Sequence, residues 1–130
     1  MILNLTQHPA SPEQIAVGVV DLPAQVAESV RALLTVDALP TRQEIEARCA
    51  DIAQHACWNH LGGDDGDDPH PSQAMIGGAP WMMRALEDAL ADYGIKPVYA
   101  FSVRQSIEQS QPDGSVRKIN VFRHAGFVPM

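Results

Sequence analysis

Three short stretches of the chain carry the side chains best suited to chemistry. Asn4, Thr6, Gln7 and His8 crowd the first, Gly77 and Gly78 form the second, and Ser102, Arg104, Gln105 and Ser106 fill the third. His8 is the candidate acid–base group, because an unperturbed imidazole titrates near neutral pH. A turn histidine that only hydrogen-bonds its neighbours is the competing reading. Ser102 is a candidate nucleophile and Ser106 a candidate ligand contact, although both also read as plain hydrogen-bonders, and no glycine-flanked serine elbow surrounds either. Arg104 offers charge-assisted bonds to an anion. Gly77 and Gly78 stand just ahead of Pro80, which opens a helix, and unpaired amides there favour negative charge together with the helix dipole. Gly-Gly-Ala-Pro is neither a phosphate loop nor a dinucleotide fingerprint, so turn geometry alone is the alternative reading. His124, beside Arg123, is a further candidate for the same rim.

The elements between these stretches decide whether they can meet. Ala74-Met75-Ile76 is an apolar run broken by two glycines. The helix from Pro80 ends near Tyr93 with Gly94 after it, and Pro97 to Val103 reads as the next strand. Together they predict a right-handed parallel βαβ unit. Met1 to Leu5 reads as a first strand, so strands are expected near 1–5, 74–77, 97–103 and 116–122, the first three parallel. Ligands of such sheets collect at the carboxyl ends of the strands, which would set all three stretches on one rim.

Ser11-Pro12-Glu13-Gln14 is a strong helix start, and Gly18 keeps that helix short. Residues 17–22 read as either an extended segment or a connector. A helix over 23–35 presents Val26, Val30, Leu33 and Leu34 on one face. Thr41 and Glu44 make a capping box for a helix over 42–58, with Ile45, Cys49, Ile52, Ala53 and Ala56 at core spacing. Pro112-Asp113-Gly114 predicts a hairpin between Arg104–Gln109 and Val116–Arg123, with Ile107 opposite Ile119 and Glu108 opposite Lys118. Residues 125–130 read as a short extension on the sheet. The expected class is a single α/β domain over 1–130. It is a Rossmann-like sandwich, with a mostly parallel sheet, helices on its faces and a C-terminal antiparallel hairpin.

Composition narrows the function classes. At 130 residues and 45% hydrophobic, the chain can build one core, and no stretch reaches 18 uninterrupted apolar residues. MILNLTQH lacks the basic and apolar regions of a signal peptide, and Cys49 and Cys57 lie about 12 Å apart along one helix, too far to bridge. A reducing cytoplasm is the expected setting. The net charge of −7 divides into −10 over residues 1–95 and +3 over 96–130. That field disfavours a long duplex nucleic acid and leaves room for a small anionic ligand at the basic end, or for a hairpin that simply wears solvated charges. Residues 61–72 (LGGDDGDDPHPS) read as a flexible acidic loop without the ligand spacing of a calcium loop. Cys49, His55, Cys57 and His60 do not share one helix face, so no metal site and no cofactor are expected. Trp58 and Trp81 could serve a partner surface, and a homodimer is expected.

A polar Thr/His loop after the first strand, MIGGAP at the βαβ turn and PDGSVRKINVFRH in the closing strand pair resemble the small Rossmann-like proteins of CRISPR-associated ring nuclease type. The resemblance covers the start of the chain and residues 74–124, not the helices between 23 and 60. It implies binding of a cyclic oligoadenylate and, as in some members of that group, its metal-independent cleavage by a ribose 2′-hydroxyl, with His8, Gly77, Gly78, Ser102 and Arg104 lining the groove. The alternative reading is a small non-catalytic interaction or scaffold protein.

Overall fold

A computed structural model describes residues 1–58 and 73–130. The sheet is laid down around β1 (Ile2–Asn4), which has β2 (Val19–Asp21) on one side and β3 (Gln73–Ile76) on the other. Beyond β3 come β4 (Lys96–Ser110) and β5 (Val116–Pro129), giving the order β2-β1-β3-β4-β5. The first four strands are mutually parallel and β5 runs antiparallel to β4. This is the expected α/β class, with the 74–103 crossover in place.

The helices form where their start signals stand. Ser11 caps α1 (Pro12–Ala16) through a reciprocal bond pair with Gln14. Thr41 Oγ1 accepts the Glu44 amide at the start of α3 (Arg42–Trp58). α2 (Ala24–Leu34) and α4 (Pro80–Ala91) both follow a proline signal, Pro23 preceding α2 and Pro80 opening α4.

On one face of the sheet, Leu3, Leu5, Ala74 and Ile76 meet Val30, Leu34, Ile52, Met82, Leu86 and Leu90 of α2, α3 and α4. Each fully buried side chain of this size contributes about 1.5–3 kcal/mol, so this layer is the main source of stability. The other face is thinner. Val19, Met75 and Val98 pack there with Ile2, Ala10 and Phe127, Ala10 being where the chain turns into α1.

Two departures from the expected strands matter for the site. Residues 17–22, ambiguous by pattern, contain a true strand: β2 pairs Ile2↔Val19 through Asn4↔Asp21. It was hard to read because three residues give too little alternation to register. The strand expected over 97–103 and the hairpin arm expected over 104–109 are one continuous strand, since nothing between Val103 and Pro112 breaks an extended chain. Residues 125–130 likewise belong mostly to β5, which returns as far as Val98↔Pro129.

β4 touches β3 only over Lys96–Tyr99, so its outer part pairs with β5 alone. The result is a two-stranded ribbon that overhangs the sheet. Its turn is as read from Pro-Asp-Gly: the Gln111 amide reaches Ser115 O at 2.8 Å, and Gly114 takes φ +87°, a conformation that favours glycine. Ile107 faces Ile119 and Glu108 faces Lys118, the expected register. The acidic loop 61–72, with His60 and His70, lies outside the described residues.

Candidate functional site

The chain leaves β1 toward β2 and then crosses back, through α2 and α3, to β3 on the opposite side of β1. At such a reversal the loops after the two neighbouring strands diverge and leave a crevice at their carboxyl ends. A cleft of about 410 Å³ occupies this place, lined by Thr6, Gln7, His8 and Pro9 after β1, Gly77 and Gly78 after β3, Tyr99 and Ala100 of β4, and Gln14 of α1. A second hollow of about 200 Å³ lies on the other side of the 6–9 loop, where Asn4, Asp21 and Arg31 contribute to its wall.

The loop between the two hollows is held from below by Asn4. Its side chain is nearly buried, at 6% exposure. Asn4 Nδ2 donates to the His8 carbonyl at 2.8 Å and to Asp21 Oδ1 at 2.7 Å. Asn4 Oδ1 accepts the Thr6 amide at 2.9 Å and the Thr6 hydroxyl at 2.8 Å. Asp21 Oδ1 also accepts the Ala10 amide at 3.0 Å, so one carboxylate oxygen ties β1, the loop and the start of α1 together. Gln7 Nε2 donates to Thr35 Oγ1 at 3.2 Å, which pins the loop to the end of α2. The backbone of His8 is thus fixed while its imidazole stays exposed and makes no hydrogen bond to a described residue.

The opposite wall is the strand-to-helix turn. Gly77 packs where an added Cβ would stand 3.7 Å from Thr6 Cγ2, an ordinary contact. Gly78 has φ +149°, and a Cβ there would stand 3.4 Å from Met83 Cε, so glycine is needed at this position. α4 has no side-chain N-cap, which leaves amides of its first turn without a side-chain acceptor. Tyr99 closes the side of the cleft, but its hydroxyl donates to Glu87 Oε1 at 2.8 Å. Burial, then that bond and the Glu87 charge, push the Tyr99 phenol well above its usual range, so it stays a neutral wall.

Among the residues of the three chemical stretches, then, Thr6, Gln7, His8, Gly77 and Gly78 come together, with Asn4 directly behind them. Ser102, Arg104 and Ser106 do not line the cleft. They sit on the exposed ribbon, because β4 runs on past the rim at which it was expected to end. Arg104 lies over the Phe122 ring at 5.7 Å, and Ser106 Oγ bonds Asn120 Oδ1 at 2.9 Å. His124 does not line the cleft either: its ring stacks at a tilt on Phe127, and its amide donates to Glu13 Oε2 at 3.0 Å. Cys49 and Cys57 are unbridged and buried, and burial pushes the Cys49 thiol up to about 11. Among the described residues no three His, Cys, Asp or Glu side chains gather closely enough to hold a metal ion.

Sequence reading missed Asp21, Arg31, Gln14 and Tyr99. Asp21 was the findable one, since it ends β2 as Asn4 ends β1, and the carboxyl-end rule applies to both. No helix among the described residues is long and apolar enough to cross a membrane.

The model of the Uncharacterized protein MJ1673 family matches residues 1–128. The chain belongs to that family. The match spans every element that builds the cleft, from β1 to β5, as well as the ribbon. No curated protein and no solved structure matches the chain.

Proposed function

We propose that this member of the MJ1673 family binds a small anionic nucleotide in the cleft at the carboxyl ends of β1 and β3. The observation that carries the reading is the position of the cleft at the switch point of the sheet, between a braced polar loop and a glycine turn that opens a helix. Among the described residues the lining holds no Lys, Arg, Asp or Glu, and its Thr6 and Tyr99 hydroxyls donate elsewhere. Recognition of the anion therefore rests on amide donors, with Arg31 in the wall of the adjoining hollow as a cationic contributor. A cyclic oligoadenylate is the ligand suggested by the resemblance of the loop, turn and hairpin sequences to ring nucleases. His8 is the imidazole in the wall that could take the proton of an attacking 2′-hydroxyl, so cleavage would depend on it.

Thermal shift against mononucleotides and against linear and cyclic oligoadenylates tests the reading. A ligand at 100 times its Kd should stabilise the native state by about 2.7 kcal/mol. Ala100→Trp, which fills the cleft from an exposed position, should abolish the shift, and Arg104→Ala should leave it unchanged. His8→Ala should remove any cleavage while binding persists. If no nucleotide moves the melting temperature, the scaffold reading replaces this one. The observation on its side is the exposure of Trp58 and Trp81, at 70% and 52%.

A further inference from the structure

We propose that the hollow beside Asp21 is the base-recognition subsite of the nucleotide site. It would select a base whose exocyclic amino group lies next to a ring-nitrogen acceptor, as in adenine. The proposal rests on the nucleotide reading of the cleft and adds the part of the ligand that the cleft does not hold. Asn4 and Asp21 are register partners at the ends of β1 and β2, so the hollow opens on the same edge of the sheet as the cleft. The two share the 6–9 loop as a common wall. β2 and β3 flank β1, which sets their ends about 10 Å apart, within the reach of a nucleotide from base edge to phosphate. At about 200 Å³ the hollow holds the volume of about seven waters, enough for a base and too little for a whole nucleotide.

Two opposite charges share the wall of this hollow without meeting. Asp21 Oδ1 accepts Asn4 Nδ2 at 2.7 Å and the Ala10 amide at 3.0 Å, so the carboxylate is fixed in place while Oδ2 bonds no described residue. Arg31 turns back along α2, its Nε donating to the Ala27 carbonyl at 3.4 Å, and both residues line the hollow. The guanidinium forms no ion pair with Asp21 or with any other described carboxylate. Leu22, Ala24, Ala27 and Val30 make the rest of this side apolar.

These groups define the occupant. Arg31 repels a free cation and Asp21 a free anion, so the group between them is neutral. A carboxylate oxygen takes a donor and a guanidinium takes an acceptor, so the occupant carries both on one edge. Small apolar side chains on α2 leave room for a ring lying flat against them. A nucleobase has all of these properties, and Asp21 discriminates among the bases. Guanine offers two adjacent N–H donors that match both oxygens of a carboxylate, whereas Asp21 has only Oδ2 free. Uracil brings a carbonyl on each side of its single N–H, and one of them would face the carboxylate. Adenine and cytosine place an amino donor for Asp21 Oδ2 beside a ring nitrogen for Arg31.

Titration calorimetry of the full chain tests this with AMP and a cyclic oligoadenylate, each paired with its inosine counterpart, and with CMP and UMP. Hypoxanthine carries an oxygen acceptor where adenine carries the amino donor. Each inosine ligand should therefore bind about tenfold or more weaker than its adenine partner, the effect of one charge-assisted bond. CMP should bind more tightly than UMP; CMP tighter than AMP would keep the edge and make the occupant a pyrimidine. Asp21→Asn keeps Oδ1 for Asn4 and Ala10 and puts an N–H donor where Oδ2 stood, so it should reverse the order and prefer inosine. A second variant does not touch that network. Ala24→Phe fills the hollow from an exposed position on α2 and should bring the adenine and inosine ligands to equal affinity. Equal binding of the two by the native chain, or an Asp21→Asn variant that still prefers adenine, would overturn this inference and leave nucleotide binding in the cleft standing. Failure of every adenine ligand to bind would overturn both.

Discussion

Removing the Asn4 side chain should loosen the candidate site from beneath. In Asn4→Ala, the Thr6 amide and one oxygen of Asp21 lose partners at 2.9 and 2.7 Å, while the His8 carbonyl keeps only the Thr6 hydroxyl at 3.0 Å. The Thr6 amide is left without a partner, which for a buried polar group costs about 1–3 kcal/mol. Asp21 Oδ1 keeps the Ala10 amide at 3.0 Å and loses one of two bonds, at about 0.5–1.5 kcal/mol. Water entering from the adjoining hollow relieves part of this, so a net loss of about 3 kcal/mol is expected. That is a large fraction of a total stability of about 5–15 kcal/mol and corresponds to a fall in Tm of about 10 °C. Asn4→Asp is the sharper variant because it is nearly isosteric and keeps the acceptor for Thr6. It places a carboxylate oxygen where the amide nitrogen stood, 2.7 Å from Asp21 Oδ1 and 2.8 Å from the His8 carbonyl. Two carboxylates so close cannot both ionise without cost, so this variant should be the weaker of the two at neutral pH and recover toward pH 4, where one of them holds a proton. Urea denaturation at pH 7 and pH 4 measures both effects. An alanine variant within 0.5 kcal/mol of wild type, or an aspartate variant no worse than alanine at pH 7, would show that Asn4 does not hold the loop.

The two glycines of the turn should respond differently. Gly78→Ala, strained at φ +149° and 3.4 Å from Met83 Cε, should cost about 1–3 kcal/mol in a denaturant titration, whereas Gly77→Ala should stay within about 0.5 kcal/mol. Cys49 gives a pH dependence. Its folded thiol titrates near 11 against an ordinary 9.0, so the unfolded chain releases the proton first and stability falls as pH rises through that window. Cys49→Ala should flatten the fall, as followed by denaturation between pH 8 and 11; an equal slope in both proteins would refute the assignment.

How far the chain could be read depended on local punctuation. Gly77-Gly78 followed by Pro80 marks a strand end and a helix start within four residues, and Pro112-Asp113-Gly114 determines both a turn and the register beside it, so these regions were legible. β2 was not, because its three residues sit between two helix signals and owe their pairing to β1 rather than to their own pattern. The arm at 104–109 was legible as strand from its turn, but not as a continuation of the strand at 97–103: nothing local shows that one strand runs past the sheet edge with β5 alone as its partner. That single misplaced end moved Ser102, Arg104 and Ser106 from ribbon to rim. Asp21 and Arg31 stayed hidden with β2, since their proximity to His8 is a product of tertiary contact.

The order in which the pieces can assemble follows from where β1 finds its neighbours. Ile2 aligns with Val19 on one side and with Gln73 on the other, so one flank needs a short closure and the other a closure of some seventy residues. During synthesis, β1, α1 and β2 emerge as a set long before β3 exists, yet the apolar layer over Leu3 and Leu5 stays open until α4 is made. The ribbon, by contrast, can zip outward from its Ser110↔Val116 pair within microseconds once residue 129 has been released. Folding of the body should therefore be limited by the long β1–β3 closure.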